Sequence, residues 1–197
     1  DLVFNLAEGC CEKPELDYAI ASFLEVLGLR YTGAPASGLM LARNKALSKK
    51  VLAYHGINTP LFAVYPKGST NGRPSDLRFP LIVKPLAQDA SIGIAQSSVI
   101  KDDQALRERV AFVHERLGND AIVEELIAGR EIYCGVTGNP PRGLPLVEMV
   151  FEKEVREEVK IATYKAKWSA KYRNTKGIRN VVAQTISPGI VEKVHHT

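Results

Sequence analysis

Apolar positions recur along the chain at two spacings, and the changes between them divide it into segments. Leu16, Ile20, Phe23, Leu24 and Leu27 step by three and four residues, which predicts a helix over 14–27 with Pro14 in its first turn and Gly28 just past its end. Leu2 to Leu6 reads as a strand before it, and Tyr31-Thr32-Gly33 resumes an extended path after it. A second helix is expected from about Ser37 or Ala42 to Tyr54, closed by His55-Gly56. This β-α-β-like opening reads as the tail of an α/β domain.

Short strands follow. They are expected over 60–65, 79–84, 92–100 and 121–127, with a polar turn stretch from Lys67 to Ser75. Between the last two, Leu106, Val110, Val113 and Leu117 define a helix capped by Asp102 or Asp103 and stopped by Gly118. Four strands with one or two amphipathic helices make a compact α+β lobe, its sheet antiparallel. After Gly129 longer strands, 131–137 and 144–151, flank the turn Gly138 to Gly143 and open a second lobe. The charged stretch 152–160 and the basic stretch 164–176 read as exposed loop or helix surface. The expected division is 1–56, 57–128 and 129–197.

Composition narrows the class. Of 197 residues 45% are apolar and 24% charged, the balance of an ordinary globule rather than a disordered chain. No apolar run approaches the roughly 20 residues of a spanning helix. The chain opens on what reads as mid-strand without a Met and stops within an apparent helix, so a fragment is expected. Cys10, Cys11 and Cys134 have no metal-ligand spacing, and a vicinal pair makes a poor structural disulfide; a reducing, cytoplasmic setting fits, with each cysteine a small hydrophobe. The net charge of +4 is uneven, since 159–191 holds seven Lys or Arg and no Asp or Glu. That favours an anionic ligand, either nucleotide phosphates or nucleic acid.

Several residues suit nucleotide chemistry, each with a plainer alternative. Lys84 ends the apolar strand Leu81-Ile82-Val83 and precedes Pro85, so its side chain leaves the sheet in a defined direction; it suits a phosphate, or water at a strand end. The small residues of Gln88 to Gly93, with Ser91 and Gly93, leave backbone N–H groups free to face an anion, or simply form a turn. Lys45 shares a helix face with Lys49 one turn on, a pairing equally at home on a solvated face. Glu124 and Glu131 flank the Ala128-Gly129 turn, where a chain reversal brings both carboxylates near one ligand such as a ribose, while Glu125 to Ile127 offer backbone groups to an adenine edge. A hairpin with outward carboxylates gives the same spacing. Tyr164 to Arg173 mixes aromatics and cations with no apolar stripe, the composition of a mobile loop over phosphates, of a surface that stacks single-stranded nucleic acid, or of a basic face.

The order of these parts is more specific than any one of them. A helix with Lys45, VKP at 83–85, DASIGI at 89–94, VEELIAGRE at 123–131 and YKAKW at 164–168 resembles the ATP-grasp ligases, and within them the D-alanine-D-alanine ligase branch. VFNLAEG near the start, the stretch from Tyr31 to Pro60 and GIRN at 177–180 extend the likeness over nearly the whole chain. The resemblance implies an ATP-grasp fold: a small antiparallel lobe and the start of a larger one after the tail of an N-terminal α/β domain. It implies that Lys45 and Lys84 contact ATP phosphates, with Ser91 and Gly93 in the loop over them. It further implies that Glu124, Glu125 and Ile127 line the adenine and linker region, that Glu131 meets the ribose, and that Lys167 is the phosphate-binding lysine of a mobile loop.

In such enzymes ATP phosphorylates a carboxylate, and an amine displaces phosphate to give an amide. ATP, Mg2+ and a small amino-acid substrate are the implied partners, the Mg2+ ligands expected beyond residue 197, and a homodimer is common. Without those ligands the covered chain is expected to lack turnover. Ala90 and Trp168 stand where the branch usually has a serine and a tyrosine, which leaves the amino acid unassigned. A catalytically idle ATP-binding module and a nucleic-acid binder using 164–179 are the rival readings.

Overall fold

The computed structural model describes every residue except 12, 14, 15, 70, 153–158 and 197. The first expected helix is α1 (Asp17–Val26), and Pro14 lies outside the described residues. The expected strand over 2–6 is reduced to one parallel bridge between Val3 and Tyr31, so the strand–helix–strand order survives with a single pairing. One bridge cannot sustain a ladder, and Leu2, Phe4 and Leu6 stay exposed.

The second expected helix is two: α2 (Ala36–Arg43) and α3 (Lys45–Tyr54). Asn44 leaves the helical region at φ −89° and ψ 96°, and its side chain accepts from the Leu47 N–H at 3.0 Å. An N-cap asparagine satisfies a backbone donor that a continuous helix would have paired, so the break is stabilised. Lys45 thereby becomes the first residue of a helix instead of an interior one.

Strands β1 (Phe62–Tyr65), β2 (Leu81–Pro85), β3 (Val99–Ile100) and β4 (Ala121–Glu125) form a sheet in the order β1-β4-β2-β3, every pairing antiparallel. Helix α4 (Asp103–Arg116) covers one face, capped by Asp102, whose carboxylate accepts from the Ala105 N–H at 2.8 Å. Strand alternation assigns the faces. Leu81, Val83, Ala121 and Val123 pack under Leu106, Val110 and Val113 of α4, the main core. Ile122 points the other way, where it meets Ala46 of α3 and Phe62 and Val64 of β1. Lys84 and Glu124 belong to that second face by the same alternation.

The expected strand over 92–100 shrinks to β3. Ser91 and Gly93 have φ of 62° and 71°, outside the extended region, and a 3-10 turn occupies Gln96–Ser98. Arg109 of α4 explains why the segment stays folded back: its guanidinium donates to the Gly93 carbonyl, to Ser98 Oγ at 2.9 Å and to Ser97 Oγ at 3.3 Å.

A second antiparallel sheet has the order β5-β8-β9, from β5 (Glu131–Tyr133), β8 (Val147–Phe151) and β9 (Ile178–Val182). The expected strand over 131–137 divides after Tyr133, because Val136–Thr137 (β6) turns away to pair with Arg142–Gly143 (β7). The basic stretch, expected as loop or helix surface, forms helices α5 (Tyr164–Trp168) and α6 (Ala170–Lys176), which begin at Thr163 and Ser169 caps. Ala166 packs on Met149 and Ile178, an anchor too small to register as an apolar stripe. Most of the charged stretch 152–160 lies outside the described residues. Helix α7 (Pro188–His195) ends the description, and no described helix is long and apolar enough to cross a membrane.

Candidate functional site

A cleft of about 410 Å³ lies between the two sheets, a volume suited to a small-molecule ligand. Lys45, Lys84, Ser91, Glu124, Glu125, Ile127, Glu131 and Lys167 all line it, eight of the nine residues singled out from the sequence. A second cavity of about 820 Å³, between α4 and the connection around Lys67 to Arg73, holds none of them.

The β2–β4 register builds the charged centre. Lys84 pairs with Ile122 and Ile82 with Glu124, so Lys84 and Glu124 sit diagonally on one face, within reach of long side chains. Lys84 Nζ donates to Glu124 Oε2 at 2.8 Å, and Lys49 Nζ from α3 lies 3.5 Å from Oε1. Glu124 is only 3% exposed, so its charge is matched by two cations rather than by water. Burial pushes the Lys49 ammonium down from its ordinary pKa, opposed mainly by Glu124. Lys45 is shifted down by burial as well, and Asp89 counters that effect most strongly. Its ammonium donates to the Gln88 carbonyl and, at 3.4 Å, to the Leu86 carbonyl, tying α3 to the loop after β2.

Glu124 and Glu131 do share the cleft, with different company. Glu131 accepts from the Tyr133 hydroxyl and from the Ala162 N–H at 3.1 Å. The Tyr133 hydroxyl is pushed far up by burial and by this carboxylate, so it remains a donor. Glu125 turns back to accept from the Leu61 N–H at 3.1 Å, while the Leu126 N–H donates to the Pro80 carbonyl at 3.1 Å. These bonds fix the crossing between the sheets, where the Ile127 side chain is exposed. Lys167 Nζ stands 5.8 Å from the centre of the Tyr133 ring, within cation–π range.

The loop from Gln88 to Ser98 is held from both sides. Trp168 donates from Nε1 to the Ala90 carbonyl at 2.9 Å, and the Tyr164 N–H donates to the Ile94 carbonyl at 3.1 Å. Gln96 makes a two-way pair with the Val159 backbone at 2.9 and 3.1 Å. From the N-terminal segment Arg43 Nη1 donates to the carbonyl of Ala87, just before the loop, at 3.1 Å, and Nη2 lies 2.8 Å from Asp17.

Gly93 is the one singled-out residue not among the cleft's lining. It is packed behind the loop, where an added Cβ would strike Leu117 Cδ1 and stand 3.1 Å from Pro85 Cγ, at φ +71°. Gly93→Ala is therefore expected to destabilise the fold by roughly 1–3 kcal/mol through strain and overpacking. Chemical denaturation checks this, and a midpoint equal to the parent's would refute it.

Sequence reasoning passed over three contributors. Lys49 was visible as a neighbour of Lys45, but its pairing with Glu124 depends on how α3 lies on the sheet. Arg43 gave no signal beyond its charge. Arg109 did: it follows Leu106 by three residues, on the apolar stripe of α4, where a charged residue needs a reason. Among the described residues no group of three or more His, Cys, Asp or Glu could hold a metal ion.

A family model described as the D-ala D-ala ligase C-terminus matches residues 50–196. The chain is 34% identical over 170 residues to the uncharacterized protein y4sG of Sinorhizobium fredii, covering 86% of this chain and 48% of that one. It is 38% identical over 137 residues to a D-alanine--D-alanine ligase of Syntrophotalea carbinolica, covering 68% and 42%. Among solved structures, the D-alanine--D-alanine ligase of Bacillus anthracis complexed with ATP superposes with a TM-score of 0.64 at 23% identity, over 90% of this chain and 51% of that one. The chain thus spans about half, or less, of the length of the curated relatives it matches.

Proposed function

The chain belongs to the D-ala D-ala ligase C-terminus family, and on that premise we propose that it carries the nucleotide half of an ATP-dependent carboxylate–amine ligase. One observation carries the reading: eight residues suited to nucleotide contact, from separate parts of the sequence, line a single cleft between two antiparallel sheets. In this reading 1–56 is the end of an N-terminal α/β domain, 57–128 the small lobe and 129–197 the start of the larger one.

Lys45, Lys84 and Lys167 neutralise the phosphates, and Ser91 lies in the loop above them. Glu125 and Ile127 border the adenine at the crossing between lobes. Glu131 already accepts two hydrogen bonds, yet an ionised carboxylate has further lone pairs for ribose hydroxyls. Glu124 orients Lys84 and Lys49 and keeps their charge in place when the nucleotide is absent.

The proposed reaction asks for little covalent work from these side chains. A substrate carboxylate oxygen attacks the γ-phosphorus and ADP leaves; an amine then attacks the acyl carbon and inorganic phosphate leaves. Fixed cations offset charge developing on the phosphoryl group without reorganising during transfer. The bonds that tie the 88–98 loop to Val159, Tyr164 and Trp168 hold it beside the cleft, where a closed site would keep water from hydrolysing the acyl phosphate. Magnesium takes oxygen ligands and commonly shares substrate phosphates. The described residues offer it no carboxylate cluster, so they do not fit a metal site. The carboxylate and amine substrates are small amino acids, and the setting is the cytoplasm.

Isothermal titration calorimetry with ATP tests the reading. The chain should bind ATP, and Glu131→Ala should weaken binding about tenfold, the worth of a hydrogen bond to a charged group. Equal affinity in parent and variant would sink the assignment of this cleft. Tight, salt-sensitive binding of single-stranded nucleic acid without ATP binding would favour the basic-surface alternative instead.

A further inference from the structure

We propose that the adjacent thiols of Cys10 and Cys11 form a chelating site for one trivalent, thiophilic metalloid atom of the arsenical class. The two Sγ atoms lie 3.4 Å apart, although the residues are consecutive. In an extended chain consecutive side chains point to opposite faces. Here Cys11 has φ +54°, and the left-handed turn swings both sulfurs to one side. A pair of backbone bonds, Cys10 N–H to the Lys13 carbonyl at 3.1 Å and Lys13 N–H to the Cys10 carbonyl at 2.9 Å, holds Cys10 against Lys13. Both are free thiols, Cys11 exposed and Cys10 partly so, and a small reagent in solution reaches them.

The geometry selects the class of ligand. A disulfide needs sulfurs about 2.05 Å apart, so this pair would have to close by more than an ångström within a two-residue ring. An atom bound to both sulfurs at about 2.3 Å, a usual metal–thiolate length, would leave them at their present separation with an angle of about 95° at its centre. That angle is tighter than the tetrahedral one zinc takes, and no third or fourth His, Cys, Asp or Glu gathers here among the described residues. A trivalent arsenical has a stereochemical lone pair, near-right bond angles, a preference for soft sulfur, and a carbon substituent that fills its third position.

The two thiols share a hydrogen bond, which raises the Cys10 pKa. The pair's reaction with an organoarsine oxide balances without an oxidant. Two S–H bonds break, two As–S bonds form, the oxide oxygen leaves with both protons as water, and arsenic stays trivalent. Cys134, the only other cysteine of the chain, makes a weak contact with the Gly135 carbonyl at 3.7 Å and serves as an internal monothiol control.

The test uses phenylarsine oxide on the native chain, read by intact-protein mass spectrometry and by titration of remaining thiols with an aromatic disulfide reagent. One phenylarsenic adduct per chain is expected, hiding two thiols and leaving one, reversed by 1,2-ethanedithiol but not by an equal concentration of a monothiol. Cys11→Ser should weaken binding by on the order of 100-fold or more, because the second sulfur no longer attacks at high effective concentration. Cys134→Ser should bind as the parent does. The proposal is overturned if Cys11→Ser binds like the parent, if all three thiols remain titratable, or if the adduct is lost with Cys134. Zinc chloride alone, bound more tightly than the arsenical, would also overturn the choice of ligand.

Discussion

Lys84→Ala should weaken ATP binding by about 10- to 100-fold, since a hydrogen bond to a charged group is worth roughly 1.5–3 kcal/mol. Lys84 holds a defined position before any ligand arrives: β2 fixes its backbone, and Glu124 Oε2 fixes its ammonium at 2.8 Å. A cation held this way loses little freedom on meeting a phosphate, so removing it costs more than removing a mobile surface lysine. The variant should still fold, because Lys49 remains 3.5 Å from the buried carboxylate as a counter-charge. Lys84→Gln keeps a donor and removes the charge, separating electrostatics from packing. Calorimetry at fixed ionic strength decides, with Lys101→Ala, an exposed lysine just after β3, as the surface control. If a folded Lys84→Ala binds ATP as tightly as that control, Lys84 has no part in holding the nucleotide.

Arg109→Ala should lower stability by about 2–4 kcal/mol, from a cavity and from acceptors left without a donor. Arg109 is 8% exposed, and its Nε has no hydrogen-bond partner among the described residues. Burial alone draws its pKa down, a sign that the site does not favour the charge for its own sake. Its partners are a carbonyl and two hydroxyls of the loop, with the Phe112 ring 4.3 Å below the guanidinium. The residue converts burial cost into loop position, holding Gly93 and Ser98 where a strand would otherwise have continued. A melting temperature lower by on the order of 10 °C is expected for a chain of this size. A value within about 2 °C of the parent would show that the loop holds itself.

The main elements were legible because they depend on local rules. The stripe of Leu106, Val110, Val113 and Leu117 with Asp102 before it and Gly118 after it specified α4 nearly to its ends. The antiparallel first lobe followed from short strands and short connections, and the observed sheet has that form. Where local rules competed, the reading slipped. Asn44 could continue a helix or cap one, and the cap prevailed. Ile92 to Ile100 has strand-like residues, yet Arg109, distant in sequence, captures its backbone. The basic stretch was open between loop and helix surface, because α5 is anchored through one small alanine that leaves no apolar stripe.

For the site, the sequence by itself determined which residue types were available and in what order: a lysine closing an apolar strand, a small-residue loop, and acidic residues around a turn. The pairing of Lys84 and Glu124 required the β2–β4 register, and the second cation on Glu124 required the lie of α3 on the sheet. The company of Glu131 was likewise a tertiary matter, because the Ala162 N–H reaches it across 31 residues. Such contacts join segments whose separation in sequence carries no information about distance. They are decided by which apolar faces must be buried together, and charged groups on those elements then take the partners that packing brings within reach.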